Sequence, residues 1–170
     1  ALCVGHQAWI AIAISEEEFI VGGDENALDD VQKICAARGA KTTRLKVGIA
    51  SHTPLLTDAV APFRAALAAA KINAPQVHLV AGIDAAWVLR REAMIEKLAV
   101  QLAHSIEWSS CLDMLYERGC RVFLELGPGR ALARMTQTRF GDVEARAVED
   151  FRSLAGVAAW LSKQHLTAIH

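Results

Sequence analysis

The sequence lacks the patterns that mark several large classes of protein. Its apolar runs fall short of the roughly 20 residues that span a bilayer, and no N-terminal signal pattern is present. The 18 Lys and Arg are balanced by 19 Asp and Glu, with no basic stripe for nucleic acid. These absences predict a soluble protein with no membrane span and no nucleic-acid partner, which we expect in the cytoplasm.

Metal and disulfide patterns are missing as well. The cysteines form no CxxC pair, and the histidines form no HxH or HExxH motif. We therefore expect no metal site and buried, reduced thiols, with disulfides or a metal as the open alternative. The cysteines are Cys3, Cys35, Cys111 and Cys120.

The first part of the chain predicts a small α+β lobe over residues 8–48. Residues 9–14 and 19–21 are apolar and β-branched, which indicates a hairpin ended by Gly22 and Gly23. Asp24 is a suitable N-cap for a helix that stops at Gly39. Alternation over residues 42–47 predicts a third strand, which completes a ββαβ unit.

The rest of the chain, residues 49–165, alternates strands with helices, which predicts a parallel sheet with helices on its faces. The fold class is therefore α/β. The predicted strands are residues 77–81, 121–126 and 144–148. The predicted helices are about 57–71, 91–103, 109–118, 131–138 and 151–161.

The strongest candidate for chemistry is His52, in the turn-prone sequence Gly-Ile-Ala-Ser-His-Thr-Pro at 48–54. Pro54 restricts Thr53 to extended geometry, and a helix is predicted just beyond. A ring held between a strand end and a helix start suits a general base, which must be oriented and reachable. An ordinary histidine in a loop-to-helix connection is the open alternative. It is also the reading of His6, His78, His104, His165 and His170.

Two further features accompany His52. Gly127-Pro-Gly129 ends a predicted strand and opens a helix, which suits either an anion cradle of backbone N–H groups or tight packing. Glu125 precedes that turn and reads as a satisfied carboxylate or as an acid or base. Gln101 ends a helix, where its amide or carbonyl could orient an imidazole, or where it could simply face solvent.

A serine nucleophile is absent from these 170 residues. No GxSxG elbow occurs. Ser51 neighbours His52, but adjacent residues on an extended loop point apart, so we do not expect a self-contained Ser–His pair.

The order of motifs resembles the C-terminal part of the malonyl-CoA:acyl carrier protein transacylase family. The motifs are the strand pair at 10–23, Ala-Ser-His-Thr-Pro-Leu-Leu at 50–56, Asn-Ala-Pro at 73–75, the segment 101–108, and Phe-Leu-Glu-Leu-Gly-Pro-Gly at 123–129. The segment 150–160 is most similar to the malonate decarboxylase epsilon subunit. The resemblance covers roughly residues 8–160.

This resemblance implies a fold and a site. The implied fold is an incomplete α/β-hydrolase-like lobe with a parallel sheet, plus a small ferredoxin-like lobe. His52 matches the family's catalytic histidine, Gln101 the residue whose carbonyl orients it, and Ser51 the residue that shapes the acyl-binding space. The implied substrate is a coenzyme A thioester, malonyl-CoA, with no covalently bound cofactor, and the implied partner is an acyl carrier protein.

The resemblance also implies what is missing. The family's serine elbow, its carboxylate-binding arginine and its oxyanion-hole glutamine all precede the small lobe. We therefore expect this chain alone to be inactive, and to associate with its own N-terminal fragment or with other malonate decarboxylase subunits. Two alternatives stay open: a non-catalytic module that binds a carrier protein or coenzyme A, and a hydrolase lobe that uses the same base with water.

Overall fold

The computed structural model describes residues 7–164. Cys3, His6, His165 and His170 lie outside the described residues, as does the last residue of the predicted 49–165 lobe. The chain forms two compact units that divide between Cys111 and Leu112, inside one helix. The predicted lobe boundary at 48/49 is a separate matter and stays a prediction.

The elements of the first unit alternate between short strand pairs and helices. In chain order they are β1 (Ala8–Ala13), β2 (Phe19–Gly23), α1 (Glu25–Ala37), a 3-10 helix (Pro54–Leu56), α2 (Thr57–Ala69), β3 (Leu79–Val80), β4 (Trp87–Val88), α3 (Arg91–Val100) and the start of α4 (Trp108–Glu117).

The β1–β2 hairpin and α1 form the core of this unit, as the apolar pattern predicts. The strands pair antiparallel, and α1 buries Ala27 and Val31 beside Ala8 of β1. The Asp24 carboxylate accepts a hydrogen bond from the Ala27 N–H at 2.9 Å, which caps the helix. Beyond the helix end Gly39 takes a φ of 74°, a conformation that glycine adopts at little cost.

The predicted third strand at 42–47 is wrong. Residues 41–49 are irregular and exposed throughout, so this part of the structure has ββα rather than ββαβ order. The outer edge of β1 is already taken, because Ile106 donates to Ala11 O and accepts from Ala13 N, both at 2.9 Å. Alternation alone does not make a strand; a strand also needs a partner edge, and none of the described strands pairs with 42–47.

Gly22 and Gly23 do not break β2, which is a second correction. Both lie inside the strand, where Gly22 pairs with Trp9 and Gly23 with Ala8. They are required for close approach: a Cβ on Gly23 would lie 2.7 Å from the Gln7 carbonyl oxygen. Glycine inside a strand often marks a place where other atoms come too near for a side chain.

Beyond α2 the chain makes a second hairpin instead of joining a parallel sheet. The predicted strand at 77–81 shortens to β3, which pairs antiparallel with β4, an element that the sequence did not predict. A tight turn joins them, with Ala81 N–H donating to Ala86 O at 3.0 Å. So short a connection cannot return the chain in parallel. Next to it, α2 and α3 pack together, tied by Arg64 and Glu96 at 2.6 Å.

The second unit contains the parallel pair that the sequence predicts. Its elements after α4 are β5 (Val122–Glu125), α5 (Ala131–Arg139), β6 (Glu144–Ala147), a 3-10 helix (Val148–Asp150) and α6 (Leu154–Leu161). β5 and β6 pair in parallel from Val122 with Glu144 to Glu125 with Ala147. This β–α–β unit confirms the α/β class. Among residues 7–164, no helix combines the length and the apolar character needed to cross a bilayer.

Candidate functional site

His52 lies in a strained turn directly before the 3-10 helix. Its φ is 64°, in the left-handed region that non-glycine residues rarely adopt. The sequence suggested an extended loop here, but His52 is not extended. Thr53 is extended, as Pro54 requires, with φ −131° and ψ 160°. Backbone strain of this kind persists only where surrounding contacts determine the conformation.

Two carbonyl groups just past the end of α3 supply those contacts. The His52 backbone N–H donates to Leu102 O at 2.8 Å, and its ring Nδ1 lies 2.6 Å from Gln101 O. Carbonyls at a helix C-terminus have no partner within the helix and carry partial negative charge. The end of α3 is thus a ready acceptor for two donors on one residue.

This contact determines which ring nitrogen can act as a base. A carbonyl oxygen only accepts hydrogen bonds, so Nδ1 must carry the proton in its contact with Gln101. The neutral ring then has its lone pair on Nε2, the nitrogen that can take a proton from another group. His52 is partly exposed, which leaves the ring within reach of a reactant.

A buried threonine supports the other side of the turn. Thr53 is completely buried, and its hydroxyl donates to Ala50 O at 2.7 Å across His52. Its methyl group faces β2, because a Cβ on Gly22 would lie 2.8 Å from Thr53 Cγ2. Sequence reasoning missed both residues: Thr53 appeared only as the residue before a proline, and Gly22 as a strand breaker.

The carbonyl segment is anchored on the same hairpin. Ile106 forms two backbone hydrogen bonds with β1, and the Ser105 hydroxyl donates to Ile10 O at 2.5 Å. His52 and Gln101 are 49 residues apart in sequence, yet both of their segments rest on β1 and β2. Leu102 was also missed, and no side-chain pattern could have found it, since every residue has a carbonyl.

Of the three candidate site residues, two are directly joined. His52 and Gln101 meet through the ring and the backbone carbonyl, rather than through the Gln101 amide. Ser51 lies beside them by sequence and is partly exposed. Its part in any substrate contact stays a prediction.

The Gly127-Pro-Gly129 turn has a different outcome. The Glu125 carboxylate accepts a hydrogen bond from Ala133 N–H at 2.9 Å, at the N-terminus of α5. An anion from the chain itself therefore occupies the place that a bound anion would take. Glu125 reads as a satisfied carboxylate. Tight packing does not explain the turn, because a Cβ on Gly127 or Gly129 would meet no neighbour within 4 Å among the described residues. The φ of 89° at Gly129 is instead a conformation that favours glycine.

Several other chemical groups of the described residues lie outside this site. A cavity of about 600 Å³ lies on the second unit, but its Arg130 pairs with Asp150 at 3.1 Å. Cys35, Cys111 and Cys120 are free thiols; burial raises the pKa of Cys111 and of Cys120. Among residues 7–164, no three His, Cys, Asp or Glu side chains come together as a metal site would need.

Comparison with known proteins gives a consistent set of relatives. No family model matches the chain. The malonyl CoA-acyl carrier protein transacylase of Haemophilus influenzae is 26% identical over 148 residues, which are 86% of this chain and 47% of that protein. The chain thus spans about half the length of the curated relatives it matches.

Solved structures agree on the fold. A malonyl-CoA:acyl carrier protein transacylase from Xanthomonas oryzae superposes with a TM-score of 0.85 at 28% identity, over 95% of this chain and 52% of that one. A malonyl-transacylase in complex with its type II polyketide acyl-carrier protein gives a TM-score of 0.85 at 26% identity, over 96% and 53%. The α/β fold with a parallel sheet is therefore that of these transacylases.

Proposed function

We propose that this chain carries the general base of a malonyl-CoA:acyl carrier protein transacylase, and that His52 is that base. The observation that carries the proposal is the 2.6 Å contact of His52 Nδ1 with Gln101 O, which leaves Nε2 as the basic nitrogen. The relatives named above support the choice of malonyl-CoA and an acyl carrier protein as substrates.

The proposed reaction is a ping-pong transfer. Nε2 takes the proton of a serine hydroxyl as its oxygen attacks the thioester carbonyl of malonyl-CoA. The resulting imidazolium returns that proton to the departing coenzyme A thiolate, which leaves a malonyl-serine ester. In the second half Nε2 deprotonates the carrier's phosphopantetheine thiol, the thiolate attacks the ester, and the proton returns to the serine oxygen.

In this scheme the residues of the chain have distinct roles. Gln101 is a positioning residue, because only its backbone carbonyl contacts the ring. Ser51, adjacent to the base, would border the acyl group and leave space for it. Residues 8–48 would form the small lobe and 49–165 part of the large one. A thioester substrate needs no covalently bound cofactor.

The nucleophile and the setting are further parts of the proposal. No GxSxG elbow occurs in the 170 residues, so we propose that chain outside them supplies the serine, either an upstream segment or another malonate decarboxylase subunit. The malonate decarboxylase setting rests on the sequence of residues 150–160. Free cysteines fit the reducing cytoplasm. By itself the chain should not turn over.

The test is malonyl transfer by the native gene product, isolated from its source cells with whatever accompanies it. His52→Ala should lower the rate of carrier acylation by about 10²- to 10⁴-fold, the usual contribution of a general base. His104→Ala is the matched control, since His104 Nδ1 also contacts a carbonyl, Val100 O at 3.0 Å, on an exposed ring. Equal losses in the two variants, or none in either, would refute the role of His52.

Two other results would replace the proposal. Coenzyme A or carrier binding without an acyl-enzyme would indicate a binding module, and His52-dependent hydrolysis of malonyl-CoA without carrier would indicate a hydrolase. The intact mass of the native product distinguishes the two sources of the serine. A mass about twice that of this chain would indicate an upstream segment, and a mass close to that of this chain would indicate a partner subunit. Transfer by the purified 170 residues alone would contradict the proposed external nucleophile.

A further inference from the structure

We propose that Thr53 and Gly22 are a positioning pair that holds His52 in its left-handed conformation and so selects its Nδ1–H tautomer. The importance of that tautomer rests on the proposed function of His52. The geometry of the pair does not, since every contact involved lies within the described chain.

Thr53 closes the turn around His52. Its hydroxyl donates to Ala50 O at 2.7 Å, a bond that spans three residues with His52 inside. The whole residue is buried, so water cannot replace this bond if it is lost. The turn therefore has one inward anchor, on the C-terminal side of the residue with a φ of 64°.

Gly22 determines how deeply that anchor sits. A Cβ at Gly22 would meet Thr53 Cγ2 at 2.8 Å, a distance that requires one of them to move. The next neighbours of such a Cβ are Cα and Cβ of Ala50, both at 3.6 Å, which is ordinary van der Waals contact. Among the described residues, the Thr53 methyl group is thus the one neighbour that a Cβ on Gly22 would clash with. The absence of a side chain on Gly22 allows Thr53 to pack against β2.

The hairpin links this anchor to the acceptor of the ring proton. β2 contacts Thr53 through Gly22, while β1 holds Ile106, four residues after Leu102, through hydrogen bonds to Ala11 and Ala13. The distance between His52 Nδ1 and Gln101 O is therefore set through the pairing of β1 with β2. Displacing Thr53 should move the ring away from its acceptor while Gln101 stays in place.

The test is the tautomer of His52, read from long-range ¹H–¹⁵N couplings in the ¹⁵N-labelled native gene product, kept with whatever accompanies it. The spectra are recorded at about pH 9, where an ordinary imidazole is neutral. The unaltered chain should show Nδ1–H as the main form. Gly22→Ala should lower the ratio of Nδ1–H to Nε2–H by about fivefold, the effect of losing one ordinary hydrogen bond.

Two variants make the result specific. Gly48→Ala is the matched control, because a Cβ there meets nothing within 4 Å, and it should leave the ratio unchanged. Gly22→Ala combined with Thr53→Ser removes the clashing methyl and keeps the hydroxyl, so it should restore the ratio. If Gly22→Ala alone fails to fold, Thr53→Val, which keeps the shape and loses the hydroxyl, should lower the ratio instead.

The proposal is overturned if the ratio is the same in all of these variants, if Thr53→Ser does not rescue Gly22→Ala, or if Gly48→Ala lowers the ratio as much. The readout needs no substrate, so a failure to observe malonyl transfer would count against the proposed function alone. If Gly22→Ala lost malonyl transfer while its His52 kept the Nδ1–H form, that result would count against the positioning pair alone.

Discussion

Two turns in this molecule look alike in sequence and differ in what they can do. Each is rich in small residues and proline, and each leads into a helix. At His52 the acceptors come from another segment and hold one side of a ring, which leaves the other nitrogen for chemistry. At Gly127-Pro-Gly129 the chain's own Glu125 accepts a hydrogen bond from Ala133 N–H in the first turn of the helix. A turn becomes a candidate site where its polar groups are only partly satisfied.

Among the tests of this comparison, the largest expected effect is a loss of stability at the second turn that leaves the His52 tautomer unchanged. Glu125→Ala should lower the free energy of unfolding by about 1–2 kcal/mol, because it removes a charged acceptor from the start of α5. The His52 tautomer should not change. Urea titration measures the first quantity and NMR the second. Glu125→Gln, which keeps an acceptor, is the control and should lose less; equal losses would show that the hydrogen bond is not the cause.

A smaller effect concerns the strained backbone itself. His52→Gly should be more stable than His52→Ala by about 0.5–1 kcal/mol, because glycine adopts a positive φ without the steric cost that alanine meets. Ser51 has no positive φ, so the same pair of substitutions there should give the opposite order. Urea titrations of the four variants would check this, and the same order at both positions would contradict the strain.

The smallest effect uses two thiols as reporters of the two units. Burial raises the pKa of Cys111 and of Cys120, and Cys111 is only 4% exposed. Alkylation followed by mass spectrometry should therefore modify Cys111 more slowly than Cys120. Glu125→Ala should speed the modification of Cys120 more than that of Cys111, because Cys120 shares a unit with α5. Equal acceleration would mean that the two units open together.

The raised pKa of Cys111 predicts that the free energy of unfolding depends on pH with a definite sign. Folded Cys111 stays protonated at pH values where an exposed thiol ionises. Its contribution to stability is therefore complete below the ordinary thiol pKa and declines as the pH rises above it. Cys111→Ala should flatten this decline in a pH series of urea titrations, whereas Cys35→Ala is the comparison variant. A decline of the same steepness in Cys111→Ala would exclude this origin.

Much of the fold follows from local pattern. The β1–β2 hairpin, the Asp24 cap and the β5–α5–β6 unit were predicted because apolar period and capping residues act over a few positions. The strand at 42–47 was wrongly predicted because pairing depends on a distant edge. β4 was missed because two residues, Trp87 and Val88, are too few to show a period.

The contact between His52 and Gln101 was predictable in the same measure, whereas the role of these residues stays a prediction. His52 and Gln101 stood out by residue type and by order of motifs, which a sequence displays directly. Leu102 contributes only a carbonyl, and Gly22 contributes only the absence of a side chain, so neither has a chemical signature. Thr53 becomes meaningful once its burial and its contact with Gly22 are known.

The positive φ of His52 has a consequence for how this chain can change over generations. Glycine at position 52 would remove the steric cost of the positive φ. Selection for stability and retention of an imidazole therefore favour different residues there. A histidine retained at position 52 would therefore indicate selection on the imidazole rather than on the backbone.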